Sequence, residues 1–183
     1  AVPALTQALQ DQNENVRDSA AWTLGNIGEG AVDAVPALIK LLQDQNWDIR
    51  NSAAMALGMI GKDAVPALIQ ALQDENENVR DSAAWALGQI GEGAVDAVSA
   101  LIQLLQDQNE WVRRNAVIAL GNMGGGAKDA VPALTQALQD EVVYVRYYTA
   151  EALGKIGTPE EINAMPTLKT ASPEATDDAD FDF

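Results

Sequence analysis

A repeated frame of about 30 residues constrains this chain more than any other feature of its sequence. In one copy, Asp74 stands six residues before Arg80, and the pattern Ala-Ala-x-x-Leu-Gly-x-Ile-Gly follows. The same Asp and Arg spacing recurs, at a period of 30 or 33 residues, at Asp11/Arg17, Asp44/Arg50, Asp107/Arg113 and Asp140/Arg146. Five copies at this spacing predict an array in which each repeat stacks on the next.

Each copy predicts a pair of helices joined by a short turn. In the third copy, the first helix covers residues 64–72, with Asp63 as its N-cap and Pro66 in its first turn. The second helix covers residues 79–90 and ends at Gly91, which suits a left-handed C-terminal position. The same N-cap is predicted at the equivalent aspartates of other copies, which are Asp33, Asp96 and Asp129.

The second helix has one constant face and one variable face. At about 100° per residue, Val79, Ala83, Leu87 and Ile90 fall on one side, and these types recur in the other copies. Small residues such as Gly88 let neighbouring helices approach to about 8–10 Å. The constant face therefore predicts the core between stacked repeats.

The recurrent Asp and Arg are interpreted as structural. An aspartate in the turn accepts hydrogen bonds from turn amides, and an arginine donates through a planar fork. Each is expected to brace the next repeat, because a catalytic residue has little reason to recur in five copies.

The frame resembles the HEAT repeat family, whose turn Asp and second-helix Arg match Asp74 and Arg80. The motif Val-Arg-x-x-Ala-Ala-x-x-Leu-Gly-x-Ile-Gly resembles, more specifically, the phycobilisome lyase-type HEAT-like repeats. It also resembles engineered scaffolds built on that consensus. The resemblance covers residues 1 to about 172. It implies an all-α fold: a right-handed α-solenoid of stacked antiparallel helix pairs, with the second helices lining the concave side.

The expected organisation is a solenoid over residues 1–172 and an acidic tail over residues 173–183. The tail carries Phe181 and Phe183 and is interpreted as disordered, or as a short peptide ligand for a groove. The solenoid comprises five repeats and a C-terminal capping helix, at residues 1–33, 34–63, 64–96, 97–129, 130–163 and 164–172.

The first repeat begins inside its first helix, without the preceding aspartate. We therefore expect Val2, Leu5 and Leu9 to be uncovered, since a terminal repeat needs a polar outer face. The sequence is interpreted as a piece of a longer array. Self-association through this repeat or through the tail is a possible consequence.

The composition excludes several classes of function. The chain has a net charge of −16 and contains neither His nor Cys, which removes the usual general base, zinc ligands and thiol nucleophile. A nucleic-acid partner is excluded because phosphates need a basic surface. No apolar run is expected to cross a membrane. We expect a cytoplasmic, non-enzymatic protein without a cofactor, whose partner is a basic or apolar protein or peptide.

The large side chains of the second helices point to the binding site. They lie away from the constant face or at its edge, and a row of exposed aromatic groups is typical of an interface. We call this set the variable face: Trp22, Trp47, Met55, Met59, Trp85, Trp111, Arg114, Ile118, Tyr144, Tyr147 and Tyr148.

Two functions follow from this surface. The first is a protein-binding scaffold whose partner is anchored mainly at repeats four and five, with its positive charges near Asp18, Asp48 and Asp81. The second, implied by the resemblance alone, is a bilin lyase subunit or a lyase-like chaperone of tetrapyrrole-carrying proteins. A tetrapyrrole with two propionates would need cations, and Arg114 and Lys155 are the candidates on this face.

Overall fold

A computed structural model describes residues 1–157 as ten α-helices in five antiparallel pairs, stacked as an α-solenoid. This confirms the predicted fold class. The predicted cap at 164–172 and the tail at 173–183 lie outside the described residues. The first helices of the pairs are α1 (Val2–Ala8), α3 (Val35–Leu41), α5 (Val65–Ala71), α7 (Val98–Leu104) and α9 (Val131–Ala137). The second helices are α2 (Glu14–Ile27), α4 (Trp47–Ile60), α6 (Glu77–Ile90), α8 (Glu110–Asn122) and α10 (Val143–Ile156).

Short 3₁₀ turns connect the repeats, and they correct the predicted N-caps. Asp63 lies inside the turn Gly61–Ala64, and α5 starts after Ala64 with no side-chain cap. Ala64 has helical angles, φ −84° and ψ −16°, so the chain passes from one helical turn directly into the next. An aspartate caps from an extended position, which this path does not provide. Asp33, Asp96 and Asp129 likewise lie inside such turns.

Asparagines, which the sequence interpretation overlooked, cap four of the five second helices, and α10 has Val142 at this position without a side-chain cap. Asn76 has extended angles, and its Oδ1 accepts a hydrogen bond from the amide of Asn78 at 2.9 Å. Helix α6 therefore begins at Glu77, two residues earlier than predicted. Gly91 has a φ of 62°, so a positive-φ residue ends the helix as expected. The equivalent caps are Asn13, Asn46 and Asn109.

The constant faces form one continuous core. Val79, Ala83 and Leu87 are fully buried, as predicted, and Ile90 is half-buried. At the first repeat, Val2 and Leu5 are partly exposed as expected, but Leu9 is only 2% exposed. Helix α1 packs against α2 and the following 3₁₀ turn, and this contact buries Leu9 without a preceding repeat.

Small residues set the spacing between consecutive second helices. A Cβ atom on Gly25, Gly88 or Gly121 would stand 3.0, 3.2 or 2.9 Å from the Cα of the alanine opposite. The alanines are Ala56, Ala119 and Ala152. The glycines therefore allow backbone contact between α2 and α4, α6 and α8, and α8 and α10.

The recurrent Arg and Asp join adjacent repeats, which confirms their structural role. Arg80 donates from Nε and Nη2 to Asp107 at 2.7 and 3.0 Å, and its Nη1 donates to the carbonyl of Asp74 at 2.9 Å. Arg113 holds Asp140 in the same bidentate way, at 2.8 and 3.0 Å. Arg17 donates to Asp44 at 3.0 Å. Each arginine thus fixes its own turn and the turn of the next repeat.

The junction between repeats two and three departs from this pattern. Its 3₁₀ turn, Gly61–Ala64, is three residues shorter than the others. Gly58 faces the Cβ of Gln89 at 3.0 Å, and Gln89 lies three residues beyond Ala86, the equivalent of Ala56. Helix α6 is therefore displaced along α4 by almost one turn.

This displacement removes an ion pair. Among the described residues, Arg50 donates only to the carbonyls of Asp44 and Gln45, at 2.9 and 3.0 Å. The carboxylate of Asp74 accepts from Gln43 instead. The second and third repeats are consequently joined by apolar packing and by the contact of Gln43 with Asp74, without the Arg–Asp pair found at the other junctions.

One segment, Trp47–Ala71, is long and apolar enough to cross a membrane by length and composition alone. This finding contradicts the expectation that no such run exists. In the fold, however, the segment consists of α4, the 3₁₀ turn and α5, and Gly61 breaks it with a φ of 83°. Within residues 1–157, its apolar side chains contribute to the core between repeats.

Candidate functional site

The variable face is largely exposed. Six of its side chains are between 45% and 59% exposed, although they are large and apolar. The remaining members are half-buried: Met55, Trp85, Arg114, Ile118 and Tyr148. The strongly exposed members are Trp22, Trp47, Met59, Trp111, Tyr144 and Tyr147.

Trp22 and Trp85 occupy the same position in two nearly identical repeats, but their surroundings differ. Trp22 is 50% exposed, whereas Trp85 is half-buried and packs against the core. Helix α6 is flanked by α4 and α8, while among the described residues α2 has a neighbouring second helix on one side only. The expectation that Trp85 is a freely exposed anchor is therefore only partly correct.

We expect Trp85→Ala to lower the free energy of unfolding by about 2 kcal/mol, because it removes apolar contacts with the core. Trp22→Ala is the matched control, and it should cost less than about 1 kcal/mol. Urea denaturation followed by circular dichroism measures both. Equal losses in the two variants would contradict the difference in burial.

An aromatic and cationic cluster occupies the variable face at repeat four. The guanidinium carbon of Arg114 lies 4.6 Å from the centre of the Trp111 ring, which is a cation–π contact. Nη2 of Arg114 also donates to Oδ1 of Asn115 at 3.4 Å, a long contact. Nδ2 of Asn115 donates in turn to Asp81 on the neighbouring helix at 2.7 Å. The cluster therefore connects α8 to α6.

The three aspartates that we expected near the positive charges of a partner differ in exposure and in hydrogen bonding. Asp81 is half-buried, and burial raises the pKa of its carboxyl above the ordinary value, although the hydrogen bond from Asn115 and the charge of Arg114 act in the opposite sense. Asp18 is half-buried and accepts a hydrogen bond from Ser52 Oγ at 2.5 Å. Asp48 is exposed. Asp81 and Asp18 thus each accept a hydrogen bond within the fold, and of the three aspartates Asp48 alone is exposed.

A shallow recess lies on the surface where α8 and α10 meet. Its lining combines apolar and charged side chains: Ile118, Gly121, Tyr148, Glu151, Ala152 and Lys155. Lys155 Nζ forms an ion pair with Glu151 at 2.8 Å and donates to Oδ1 of Asn122 at 3.3 Å. The rings of Tyr147 and Tyr148 meet edge to face, with centres 5.3 Å apart. Repeats four and five thus present a dense aromatic surface with two cations.

Within residues 1–157, His, Cys, Asp and Glu form no group that could hold a metal ion. Each of Arg114 and Lys155 has a contact within the chain, with Trp111 and Glu151 respectively. The arrangement offers flat aromatic faces, exposed carboxylates and paired cations, which are groups suited to contacts with another molecule.

The sequence matches the profile of HEAT repeats over residues 2–64, 35–112 and 98–178. These matches span nearly the whole chain, and the protein belongs to the HEAT repeat family. No curated protein sequence matches the chain.

Several solved structures are similar to it. The complex of CpcE and CpcF of phycocyanin lyase from Nostoc sp. PCC7120 is 27% identical, with a TM-score of 0.66, and the match covers 93% of this chain and 70% of that chain. An engineered protein is 26% identical, with a TM-score of 0.58, over 92% and 85% of the two chains. A designed armadillo repeat protein in complex with the peptide (KR)4 is 25% identical, with a TM-score of 0.58, over 86% and 82%.

Proposed function

We propose that this protein is a non-enzymatic scaffold that holds a protein or peptide segment along the variable face. The observation that carries the proposal is the row of exposed aromatic and apolar side chains on consecutive second helices. The core between repeats is already complete without them, so stability alone does not explain their exposure. Trp and Tyr in particular are favoured anchors of protein interfaces.

The packing of the helices supports a groove at this surface. Consecutive second helices contact one another much more extensively than consecutive first helices do. Because the second helices pack closely and the first helices are spread apart, the stack curves toward the layer of second helices. The variable face would then line the inner side, where an extended or helical segment contacts several repeats at once.

The charge of the chain favours a basic segment. A net charge of −16 attracts cationic partners and raises their association rate. The similar armadillo repeat protein was solved with the peptide (KR)4, which is a basic ligand. We therefore infer that the partner is a basic segment that also carries apolar or aromatic residues for repeats four and five.

Selection of binders from a random peptide library tests this function. Selected peptides should lose at least about 2 kcal/mol of binding free energy with Trp111→Ala or Tyr147→Ala, because both side chains are exposed anchors at the aromatic end of the surface. Isothermal titration measures the loss. Val95→Ala, which removes an exposed apolar side chain from a 3₁₀ turn, is the control and should leave binding unchanged. Peptides that bind equally well to Trp111→Ala, Tyr147→Ala and the native protein would refute the scaffold function.

The similarity to the phycocyanin lyase complex supports a second candidate, a lyase-like chaperone or subunit. This function requires that Arg114 and Lys155 be recruited from Trp111 and Glu151 to the propionates of a tetrapyrrole. Titration with biliverdin, followed by visible absorbance, distinguishes the two candidates. A saturable spectral change that disappears with Arg114→Gln would favour the lyase-like function, and its absence would favour the scaffold.

A further inference from the structure

We propose that the variable face carries a subsite for an arginine side chain of the bound segment, formed by Trp22, Asp18 and Asp48 at repeats one and two. The inference rests on the proposed function. It adds the chemical class of the partner's side chain and the direction in which the bound segment runs along the solenoid. The occupant is a guanidinium group, stacked on an indole ring and neutralised by carboxylates.

The protein contains an internal counterpart of this subsite. Between repeats three and four, Arg114 stacks on Trp111, and its positive charge partly opposes the rise that burial causes in the pKa of Asp81. The neighbouring Asn115 donates to Asp81, as Ser52 donates to Asp18 between repeats one and two. The fold thus already stacks a guanidinium on a tryptophan ring, near enough to an aspartate for its charge to act on that carboxyl. Here the tryptophan lies on the later helix of the pair, whereas Trp22 lies on the earlier one.

The junction of repeats one and two has Asp18 at the position of Asp81, but it lacks an arginine equivalent to Arg114. The residues that stand 63 positions, or two repeats, before Arg114 and Trp111 are Asn51 and Asp48. Repeats one and two therefore keep the aspartate, Asp18, and add a second carboxylate, but they have no arginine at the equivalent position. The junction of repeats three and four has the positive charge of Arg114 at this place. The junction of repeats one and two has the negative charges of Asp18 and Asp48 there.

The tryptophan at the first junction is accessible to a ligand. Trp22 lies one helical turn beyond Asp18 on α2, and it is 50% exposed. Asp48 lies one turn before Ser52 on α4, and Ser52 contacts Asp18. Trp22 and Asp48 therefore lie on opposite sides of the Asp18–Ser52 contact along the α2–α4 surface, and both are open to solvent.

Arginine fits this stretch better than other residue types. Its planar guanidinium stacks on an indole face while its N–H groups donate to carboxylates in the same plane. The ammonium of lysine is compact and more strongly hydrated, so it gains less from the ring. The bound segment would place its arginine at repeats one and two and its apolar residues at Trp111 and Tyr147.

Fluorescence polarisation with the labelled peptide (KR)4 at physiological salt tests the inference, with an octalysine peptide as the charge-matched comparison. We expect (KR)4 to bind at least threefold more tightly than octalysine. Trp22→Ala should weaken (KR)4 binding at least tenfold and abolish this preference, and Trp22→Phe should retain most of the affinity. Asp48→Asn should weaken binding at least threefold, whereas Asp33→Asn, which removes the same charge from a 3₁₀ turn, should have no more than a twofold effect.

Asn51→Arg provides a reciprocal test, because it places an arginine at the position equivalent to Arg114. It should weaken (KR)4 binding at least tenfold by occupying the subsite from within. Val32→Arg adds the same charge at an exposed position of a 3₁₀ turn and should weaken binding less than threefold. Circular dichroism and thermal unfolding establish that each variant is folded.

Two outcomes would overturn the subsite: native protein that does not bind (KR)4, or binding that is unchanged in both Trp22→Ala and Asn51→Arg. The scaffold function survives either result if library-selected peptides still depend on Trp111 and Tyr147. It fails separately if that dependence is absent. The two experiments therefore distinguish a wrong subsite from a wrong function.

Discussion

Replacing Arg113 with alanine is expected to lower the free energy of unfolding by about 3 kcal/mol, because it leaves a nearly buried carboxylate without its partner. Arg113 donates two hydrogen bonds to Asp140 and others to the carbonyls of Asp107 and Gln108. The side chains of Arg113 and Asp140 are only 8% and 10% exposed, so water replaces these contacts poorly. Urea denaturation followed by circular dichroism measures the loss.

Arg50→Ala is the matched control, since this arginine has the same place in the frame but donates only to two carbonyls among the described residues. We expect it to cost about 1 kcal/mol. Inserting Gly-Ala-Val between Lys62 and Asp63 restores the longer connection and should bring Asp74 opposite Arg50. In that background Arg50→Ala should become as costly as Arg113→Ala. Equal losses for Arg50 and Arg113 in the native background would contradict the role assigned to the ion pairs.

The pH dependence of the same variants provides a second measurement. Burial alone would raise the pKa of Asp140, but the hydrogen bond from Arg113 and its charge hold it below the ordinary value. A lowered pKa in the folded state contributes stability above the unfolded pKa of about 4, and this stability is lost as the pH falls through the folded value. The difference between the native protein and Arg113→Ala should therefore be full at neutral pH and decrease under acid conditions.

Replacing Gly121 with leucine is expected to cost at least about 3 kcal/mol, because the side chain has no room between α8 and α10. Even a Cβ atom at this position would lie 2.9 Å from both the Cα and the Cβ of Ala152. The contact is with backbone, so it is relieved only if the two helices move apart. Chemical denaturation measures the loss.

Two further variants separate packing from helix propensity. Gly121→Ala should also be destabilising, although propensity alone predicts a gain of about 1 kcal/mol for alanine in a helix. Gly125→Leu places the larger side chain in an exposed turn, where a Cβ atom would have only an ordinary contact with Lys128, and should change stability by less than about 0.5 kcal/mol. If Gly121→Ala stabilises the protein, the close approach of α8 and α10 is wrong.

The sequence by itself determined the repeat, the helix pairs and the identity of the core. These follow from local chemistry, because the period, the apolar spacing and the terminal glycines are visible in each copy without knowledge of its neighbours. The structural role of Asp and Arg could also be predicted, since Arg80 and Asp107 recur in a fixed frame. The predicted N-cap at Asp63 failed because a 3₁₀ turn runs directly into the following helix.

Only the tertiary structure decided how identical residues differ between repeats. Trp22 and Trp85 have the same local sequence, but Trp85 is half-buried on a helix that contacts second helices on both sides, whereas Trp22 is 50% exposed. Arg50 matches Arg80, but a turn three residues shorter displaces α6 along α4 and removes the carboxylate that Arg50 would hold. Asp81 accepts a hydrogen bond from Asn115 of the next repeat, 34 residues away. Burial and pairing depend on what the neighbouring repeat places opposite a side chain, and that arrangement is a property of the stack, which no single repeat contains.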